Sequence, residues 1–237
     1  VNGIIPFTPV MRAFLKEENT IPKDFVHTCV VSVDCDEDTV KKAIDILVSH
    51  HDMLRGTFTE NGIKVLPSNE REVYSFKTIS INDTEEATEY LRKTELEEDK
   101  LVNVVYCKTE KENLVSITVH HFLIDLVSWE VLMKDFNTVV NQIKTNEEIN
   151  LPAKTASFKL WNEELTKYSE TTENKEYWNN INEELDNAAT LSVNEENEAE
   201  EYSITLDENT SSKLINDVNS KYGTRTNEVL LTAVGLA

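Results

Sequence analysis

The chain is short of glycine and cysteine and has no long apolar run, and each shortage excludes a class of protein. Five glycines in 237 residues leave no phosphate-cradling loop, so no nucleotide-binding motif is expected. Three cysteines, Cys29, Cys35 and Cys107, are an odd number without metal-ligand spacing, and we expect buried free thiols. No stretch approaches the roughly 18 apolar residues that a membrane-spanning helix needs.

Basic residues are also scarce: 23 lysines and arginines stand against 44 aspartates and glutamates, for a formal net charge of -21. A nucleic-acid or anionic-membrane partner is not expected, because no basic patch is available to neutralise phosphates. The simplest explanation of the acidity is a well-solvated surface. The first residues lack a basic region followed by an apolar run, so we expect no signal peptide and a cytoplasmic location.

Apolar periodicity predicts strands and helices that interleave along the chain. Alternating residues predict strands at 25–33, 101–107, 114–120 and 202–206, and Asn61-Gly62 predicts a hairpin over 57–66. Apolar residues three and four apart predict helices at 36–50, 84–97, 129–143, 157–168, 174–185, 214–222 and 227–237. This order indicates an α/β or α+β layered fold.

One acidic stretch is the best candidate for a boundary. Residues 186–201 are acidic and poor in large apolar residues, which is typical of a surface loop. We therefore expect a first lobe over residues 1–185 and the start of a second lobe over residues 202–237.

The strongest candidate for chemistry is the segment that begins with His120 and His121 and ends at Trp129. It joins the end of a predicted strand to the start of a predicted helix, a common position for reactive side chains. Adjacent strand residues point to opposite faces, so a single pocket would receive only one of the two histidines. His121 continues the apolar face of the strand, where desolvation would keep it neutral, as a general base requires. A structural pair with ordinary hydrogen bonds is an equal alternative from the residues alone.

No metal site is predicted. His121 and Asp125 could meet across the turn, but a third ligand at useful spacing is missing and no His-Glu-x-x-His helix exists. His50 and His51 form a second pair at a helix end, where a positively polarised side chain favours the helix dipole. A structural role is predicted for that pair. A serine hydrolase is not expected either, because Gly-x-Ser-x-Gly is absent.

Several blocks, in order, resemble the condensation-domain superfamily of nonribosomal peptide synthetases, which is related to chloramphenicol acetyltransferase. The blocks are Phe7-Thr8-Pro9-Val10-Met11, His50-His51-Asp52-x-Leu54-Arg55, His120-His121-x-x-x-Asp125-x-x-Ser128-Trp129, Ser157-Phe158-Lys159-x-Trp161, Tyr177-Trp178 and residues 224–233. The Ser-Trp ending and the His-His-Asp block are more similar to epimerization domains than to amide-forming condensation domains. The chain departs from the family at Leu126, where glycine is usual, and at Met11, where glutamine is common. It also lacks the Glu-Gly-His-Gly-Arg block.

The resemblance implies a fold and an activity. The fold is a chloramphenicol acetyltransferase-like lobe, an α/β (α+β) sandwich with a mixed sheet flanked by helices. The activity is conversion of an L-aminoacyl or peptidyl thioester to the D form by removal and return of the α-proton. The substrate would arrive on the 4'-phosphopantetheine of a peptidyl carrier protein, with neighbouring synthetase domains as further partners and no directly bound cofactor.

The resemblance also implies roles for single residues. His121 would be the catalytic base, His120 would hold the turn, and Asp125 would pair with Arg55. Ser128 would cap the following helix, and Trp129 would pack. Because the absent block supplies a glutamate that faces the catalytic histidine, we expect this chain to be inactive by itself. Two alternatives remain: a condensation domain that forms a peptide or ester bond, and a non-catalytic scaffold that docks carrier proteins.

Overall fold

The protein is described here by a computed structural model that covers residues 1–18, 21–70, 73–187 and 202–236. It divides into two compact units, Val1–Glu183 and Glu184–Ala237. Most of the predicted acidic loop, residues 188–201, lies outside the described residues. The predicted lobe boundary therefore stays a prediction.

The strands of the first unit form two sheets. In chain order the strands are β1 (Gly3–Pro6), β2 (Val26–Val33), β3 (Gly56–Thr59), β4 (Gly62–Val65), β5 (Ser75–Ser80), β6 (Val102–Lys108) and β7 (Asn113–His120). A three-stranded antiparallel sheet has the order β1-β4-β3, and a four-stranded sheet has the order β2-β7-β6-β5. In the larger sheet β5 pairs with β6 in parallel and the other pairs are antiparallel, so the sheet is mixed.

The described residues up to Asp186 contain six α-helices. They are α1 (Pro9–Glu18), α2 (Glu37–His50), α3 (Thr84–Arg92), α4 (Leu126–Thr145), α5 (Phe158–Ser169) and α6 (Thr172–Asp186), and a short 3₁₀ helix, Asp52–Arg55, follows α2. Acidic side chains begin two of these helices where the sequence predicts a start: Asp36 accepts a hydrogen bond from the Thr39 backbone, and Asp83 from that of Glu86.

Apolar residues from both faces of the four-stranded sheet are buried. One face packs against α2 and α4 and forms the main core with them. The sheet contributes Val104, Tyr106, Val115, Ile117 and Val119 to this core. The helices contribute Ala43, Leu47, Phe136 and Val139. The other face packs on α3 through Val105, Cys107, Leu114, Ala87 and Leu91. This layering of helices on a mixed sheet confirms the predicted α/β (α+β) sandwich.

The cysteines differ in burial. All three are free thiols, and Cys107 on the inner strand β6 is buried as predicted. The predicted burial is wrong for Cys29 and Cys35, which are half-buried. Cys29 lies on β2, an edge strand of the sheet, and an edge strand has a neighbour on one side only.

The regular secondary structure described for the second unit is helical. It contains α7 (Glu208–Ser212), a π-helical segment (Lys213–Val218), α8 (Asn219–Tyr222) and α9 (Thr226–Leu236). Gly223 follows α8 with a φ of 64°, which confirms the predicted helix end. The predicted strand at 202–206 is wrong, since none of the described strands pairs with these residues. Helix α9 is confirmed, but its apolar side chains, such as Val234 and Leu236, are exposed.

Over the residues described, we find no helix with both the length and the apolar character that a membrane crossing requires.

Candidate active site

The turn between β7 and α4 is organised by Asp125. This residue has an extended backbone, and its carboxylate accepts a hydrogen bond from the Ser128 backbone N–H at 2.7 Å. Hydrogen bonds from Ser128 hold the pKa of the Asp125 carboxyl below its usual range. Asp125 is thus the N-cap of α4. The prediction that Ser128 caps this helix is wrong, because Ser128 is already the third helical residue and contributes its N–H instead.

His120 is buried at the end of β7, with 1% of its surface exposed. Its Nδ1 accepts a hydrogen bond from the Phe122 backbone N–H, so Nε2 carries the proton and donates to the Pro22 carbonyl, both at 3.1 Å. Burial lowers the pKa of His120, and the hydrogen bond that His120 donates to the Pro22 carbonyl opposes this shift. Both ring nitrogens are therefore engaged in holding the turn, and neither is free to act on a substrate.

His121 is half-buried and lies one residue beyond the strand. Its Nδ1 is 2.8 Å from the Ile124 carbonyl oxygen. A carbonyl can only accept a hydrogen bond, so Nδ1 carries the proton and the neutral ring keeps its lone pair on Nε2. This is the tautomer that a base acting through Nε2 requires.

His27 is a neighbour of His121 that sequence reasoning missed. The centroids of the two rings are 3.9 Å apart, and the ring of Phe25 is 4.7 Å from that of His121. Burial is the main cause that lowers the pKa of His27, and the charge of His121 lowers it further. The His121 backbone N–H also donates to the Phe25 carbonyl at 2.9 Å. Edge strand β2 therefore places His27 beside the turn, a relationship that depends on the register of the sheet.

Two cavities meet at this turn. The His121 cleft has a volume of about 460 Å³ and is lined by His121, Asp125 and mainly apolar residues such as Met11, Phe14 and Trp161. The His51 cavity has a volume of about 640 Å³ and is lined by His50, His51, Asp135 and Lys154, among others. Both cavities are bounded by Met53, Leu123, Ile124, Ser128 and Phe158. The two spaces therefore share a wall.

Arg55 does not pair with Asp125, which corrects the pairing that the resemblance implies. Arg55 is 1% exposed, and all five of its N–H groups donate to other acceptors among the described residues. One acceptor is the carboxylate of Asp52 at 2.9 Å; the others are the carbonyls of Val1, Val48, Ser49 and Leu66. Asp125 is exposed, so it does not need the cation that a buried carboxylate would need.

Asp52 is the carboxylate that Arg55 neutralises. It also accepts a hydrogen bond from Lys154 at 2.9 Å. Burial raises the pKa of Asp52, but hydrogen bonds from Lys154, Arg55 and the amino group of Val1 outweigh burial and lower that pKa to about 2. Arg55 therefore supports the loop after α2 and does not reach the turn of His121.

In the folded protein, Asp135 lies beside the His50–His51 pair. His51 Nε2 is 3.0 Å from a carboxylate oxygen of Asp135 on α4. Asp135 is 5% exposed. Sequence reasoning missed Asp135, although an aspartate between Leu132 and Phe136 on the apolar face of a predicted helix was a usable signal.

The sequence profile of the condensation domain family matches residues 3–237. The chain belongs to the condensation domain family. Gramicidin S synthase 1 of Brevibacillus brevis is 28% identical over 260 residues, and surfactin synthase subunit 2 of Bacillus subtilis (strain 168) is 29% identical over 259 residues. These matches cover all of this chain but only 24% and 7% of the two synthetases.

Solved structures of condensation-family domains have a similar fold. The epimerization domain from the third module of tyrocidine synthetase B has a TM-score of 0.82 and 26% identity, over 100% of this chain and 59% of that one. The first condensation domain of the calcium-dependent antibiotic synthetase has a TM-score of 0.59 and 14% identity, over 76% of this chain and 48% of that one; this match shows the shared fold. The resemblance found in the ordered sequence blocks is confirmed, and the family is enzymatic.

Trp129 and Leu126, two residues of α4 in this condensation-family chain, differ in burial. Trp129 is 8% exposed and belongs to the main core, so it packs. Leu126 is the first residue of α4 and is 80% exposed. Among the described non-glycine residues, positive φ angles occur at Asp99 and Asn146. Leu126 thus has a backbone that any residue can adopt, and the turn does not require the glycine usual in the family.

Proposed function

We propose that this chain is part of a peptide-synthetase epimerization domain, which converts an L-aminoacyl or peptidyl thioester on a carrier protein to the D form. The observation that carries the proposal is the hydrogen bond from His121 Nδ1 to the Ile124 carbonyl, which in the neutral ring places the lone pair on Nε2. His121 also lines an apolar cleft. The TM-score of 0.82 to a solved epimerization domain supports it.

The proposed chemistry is one proton removal and one proton return. A thioester acidifies its α-carbon, but the proton still needs a positioned base and the enolate needs stabilisation. His121 Nε2 takes the α-proton and becomes part of an imidazolium, while the C–H electron pair forms the enolate. An acid on the opposite face then protonates the α-carbon, and the thioester C–S bond stays intact throughout. The resemblance assigns that acid to a glutamate in the Glu-Gly-His-Gly-Arg block, which this sequence does not contain.

Supporting roles are proposed for the residues around His121. His120 and Asp125 hold the turn that orients the base, through the bonds to Pro22, Phe122 and Ser128. Arg55 and Trp129 act at a greater distance, by fixing the loop after α2 and the core beneath α4. The apolar walls of the His121 cleft suit a 4'-phosphopantetheine arm and keep water from the enolate.

We propose the same domain organisation that the sequence predicts. Residues 1–185 form the lobe that carries His121, residues 186–201 an acidic connection, and residues 202–237 the start of a second lobe. The chain spans 59% of the solved epimerization domain, so the partners of the complete synthetase, a peptidyl carrier protein and neighbouring domains, are part of the proposal. We expect no turnover by the 237-residue chain alone, because the proposed second acid is outside it.

A condensation domain is the second candidate, since the same Nε2 could take a proton from an attacking amine and condensation domains share the fold. The complete synthetase, loaded with an L-aminoacyl carrier protein in deuterated water, separates the two functions. We expect deuterium at the α-carbon and a mixture of L and D products. A peptide or ester product without deuterium would establish condensation instead. Carrier binding with neither product would establish a docking scaffold.

A further inference from the structure

The His51 cavity contains a cluster of three side chains that the proposed epimerization does not use. His50 is the last residue of α2, His51 follows it, and Asp135 projects from α4, which packs against α2 in the main core. One ring nitrogen from each histidine and one oxygen of Asp135 all lie within 4.8 Å of one another. The two histidines are half-buried and Asp135 is buried.

Among the described residues, the hydrogen-bond partner of Asp135 is the imidazole of His51 rather than a lysine or an arginine. Lys154 and Arg55, which lie near the cavity, both bond to Asp52 at 2.9 Å. A buried carboxylate normally has a cation or a metal ion beside it.

The ligand set matches the requirements of a divalent transition-metal ion. Two neutral imidazoles and one carboxylate are the protein ligands found in many three-ligand zinc sites. In tetrahedral geometry, bonds of about 2.1 Å hold ligand atoms about 3.4 Å apart, and His51 Nε2 and Asp135 Oδ2 are already 3.0 Å apart. The 4.8 Å spread of the cluster closes by rotation of the half-exposed His50 side chain. The fourth position would face the cavity.

We propose that His50, His51 and Asp135 form a binding site for a divalent transition-metal ion of the zinc class. The site ties the C-terminal end of α2 to the middle of α4. Sequence spacing predicted no metal site here, because His50 and His51 are adjacent and Asp135 lies on another helix. The proposal does not depend on the epimerization activity, since none of these residues lines the His121 cleft.

Zinc binding to the metal-free, thiol-reduced 237-residue chain tests the proposal. We expect one Zn²⁺ per chain with micromolar or tighter affinity by titration calorimetry, and a higher melting temperature with Zn²⁺. Asp135→Asn and His51→Gln should each weaken binding at least tenfold. His27→Gln is the matched control, because it removes a histidine outside the cluster and should bind as the parent does. His50→Gln changes a half-exposed residue, and serves as the cluster variant if Asp135→Asn does not fold.

Cobalt(II) identifies the ligands in the same experiment. A site of nitrogen and oxygen ligands should give d–d absorption bands without a thiolate charge-transfer band, which excludes Cys29, Cys35 and Cys107. Zinc affinity that His51→Gln and His50→Gln leave unchanged would overturn the proposal. A thiolate band, or displacement of Zn²⁺ by a similar concentration of Mg²⁺, would also overturn it, since either outcome would mean binding by thiols or by the acidic surface.

Discussion

The rings of His27 and His121 are packed together, with their centroids 3.9 Å apart and their planes inclined by 39°. His27 belongs to edge strand β2, and His121 to the turn after β7, so the antiparallel pairing of these strands brings the two histidines together. A positive charge on either ring raises the energy of a charge on the other. The charge of His121 accordingly lowers the pKa of His27 further than burial does by itself.

We expect the free energy of unfolding to fall as the pH decreases from about 7.5 to about 5.5. Burial is the main cause that lowers the pKa of His27, His51 and His120 from 6.5 in the folded protein. Below pH 6.5 the unfolded chain consequently binds more protons than the folded chain, and stability is lost. Asp52 adds no pH dependence in this range. Its pKa is about 2 in the folded protein and 3.8 without the fold, so its carboxyl is ionised in both states.

Urea unfolding at a series of pH values measures this effect. The variant His27→Gln should lose less stability on acidification than the parent, since one of the three groups is gone. Greater stability at the lower pH would contradict the assignment of neutral histidines in the folded state.

Arg55 should show energetic coupling to Asp52 and none to Asp125. Arg55→Met leaves four carbonyls without their donor, while the half-buried Asp52 carboxylate keeps Lys154 and the amino group of Val1. The variant should cost at least about 3 kcal/mol, from the unsatisfied carbonyls. A double-mutant cycle with Asp52→Asn should give a coupling energy of about 0.5–3 kcal/mol, and one with Asp125→Asn should be additive within about 0.5 kcal/mol. Coupling of Arg55 to Asp125 as large as that to Asp52 would restore the pairing that the sequence blocks imply.

The role of Asp125 as a helix cap can be separated from any role of its charge. Asp125→Ala removes the acceptor for the Ser128 N–H and should lower the free energy of unfolding by about 1 kcal/mol. Asp125→Asn keeps an acceptor oxygen, and asparagine is an equally good N-cap, so this variant should remain close to the parent. If thermal or urea unfolding shows equal losses for both variants, the carboxylate charge matters more than the cap.

Local patterns predicted most of the first unit. Alternation identified β2, β6 and β7, Asn61-Gly62 identified the β3–β4 hairpin, and the Asp36 cap identified the start of α2. These signals are local because strand and helix periodicity are visible within one segment. Strands β1 and β5 were not predicted. β1 is four residues long, and β5 is an edge strand in a parallel pair, so their pairing depends on distant strands.

Side-chain placement was harder to predict from the sequence. Helical spacing predicts Tyr90 on the same inward face of α3 as Ala87 and Leu91. Tyr90 is nevertheless 55% exposed, because α3 turns Ala87 and Leu91 toward the sheet. His27 lies beside His121 because of the strand register, and Asp135 reaches the His51 cavity through the packing of α2 on α4. Neither relationship leaves a trace in local spacing, so the sequence indicated His121 but neither His27 beside it nor the cluster around His51.

The proposal that His121 Nε2 is the base for α-proton transfer is tested most directly by deuterium exchange in the complete synthetase. With an L-aminoacyl carrier protein in deuterated water, we expect the parent to incorporate deuterium at the α-carbon. His121→Gln should reduce the rate by at least about 100-fold, the lower range for loss of a general base. Lys93→Gln, in an exposed helical ion pair, is the control and should exchange at the parental rate. Exchange by folded His121→Gln at the parental rate would contradict the proposed base.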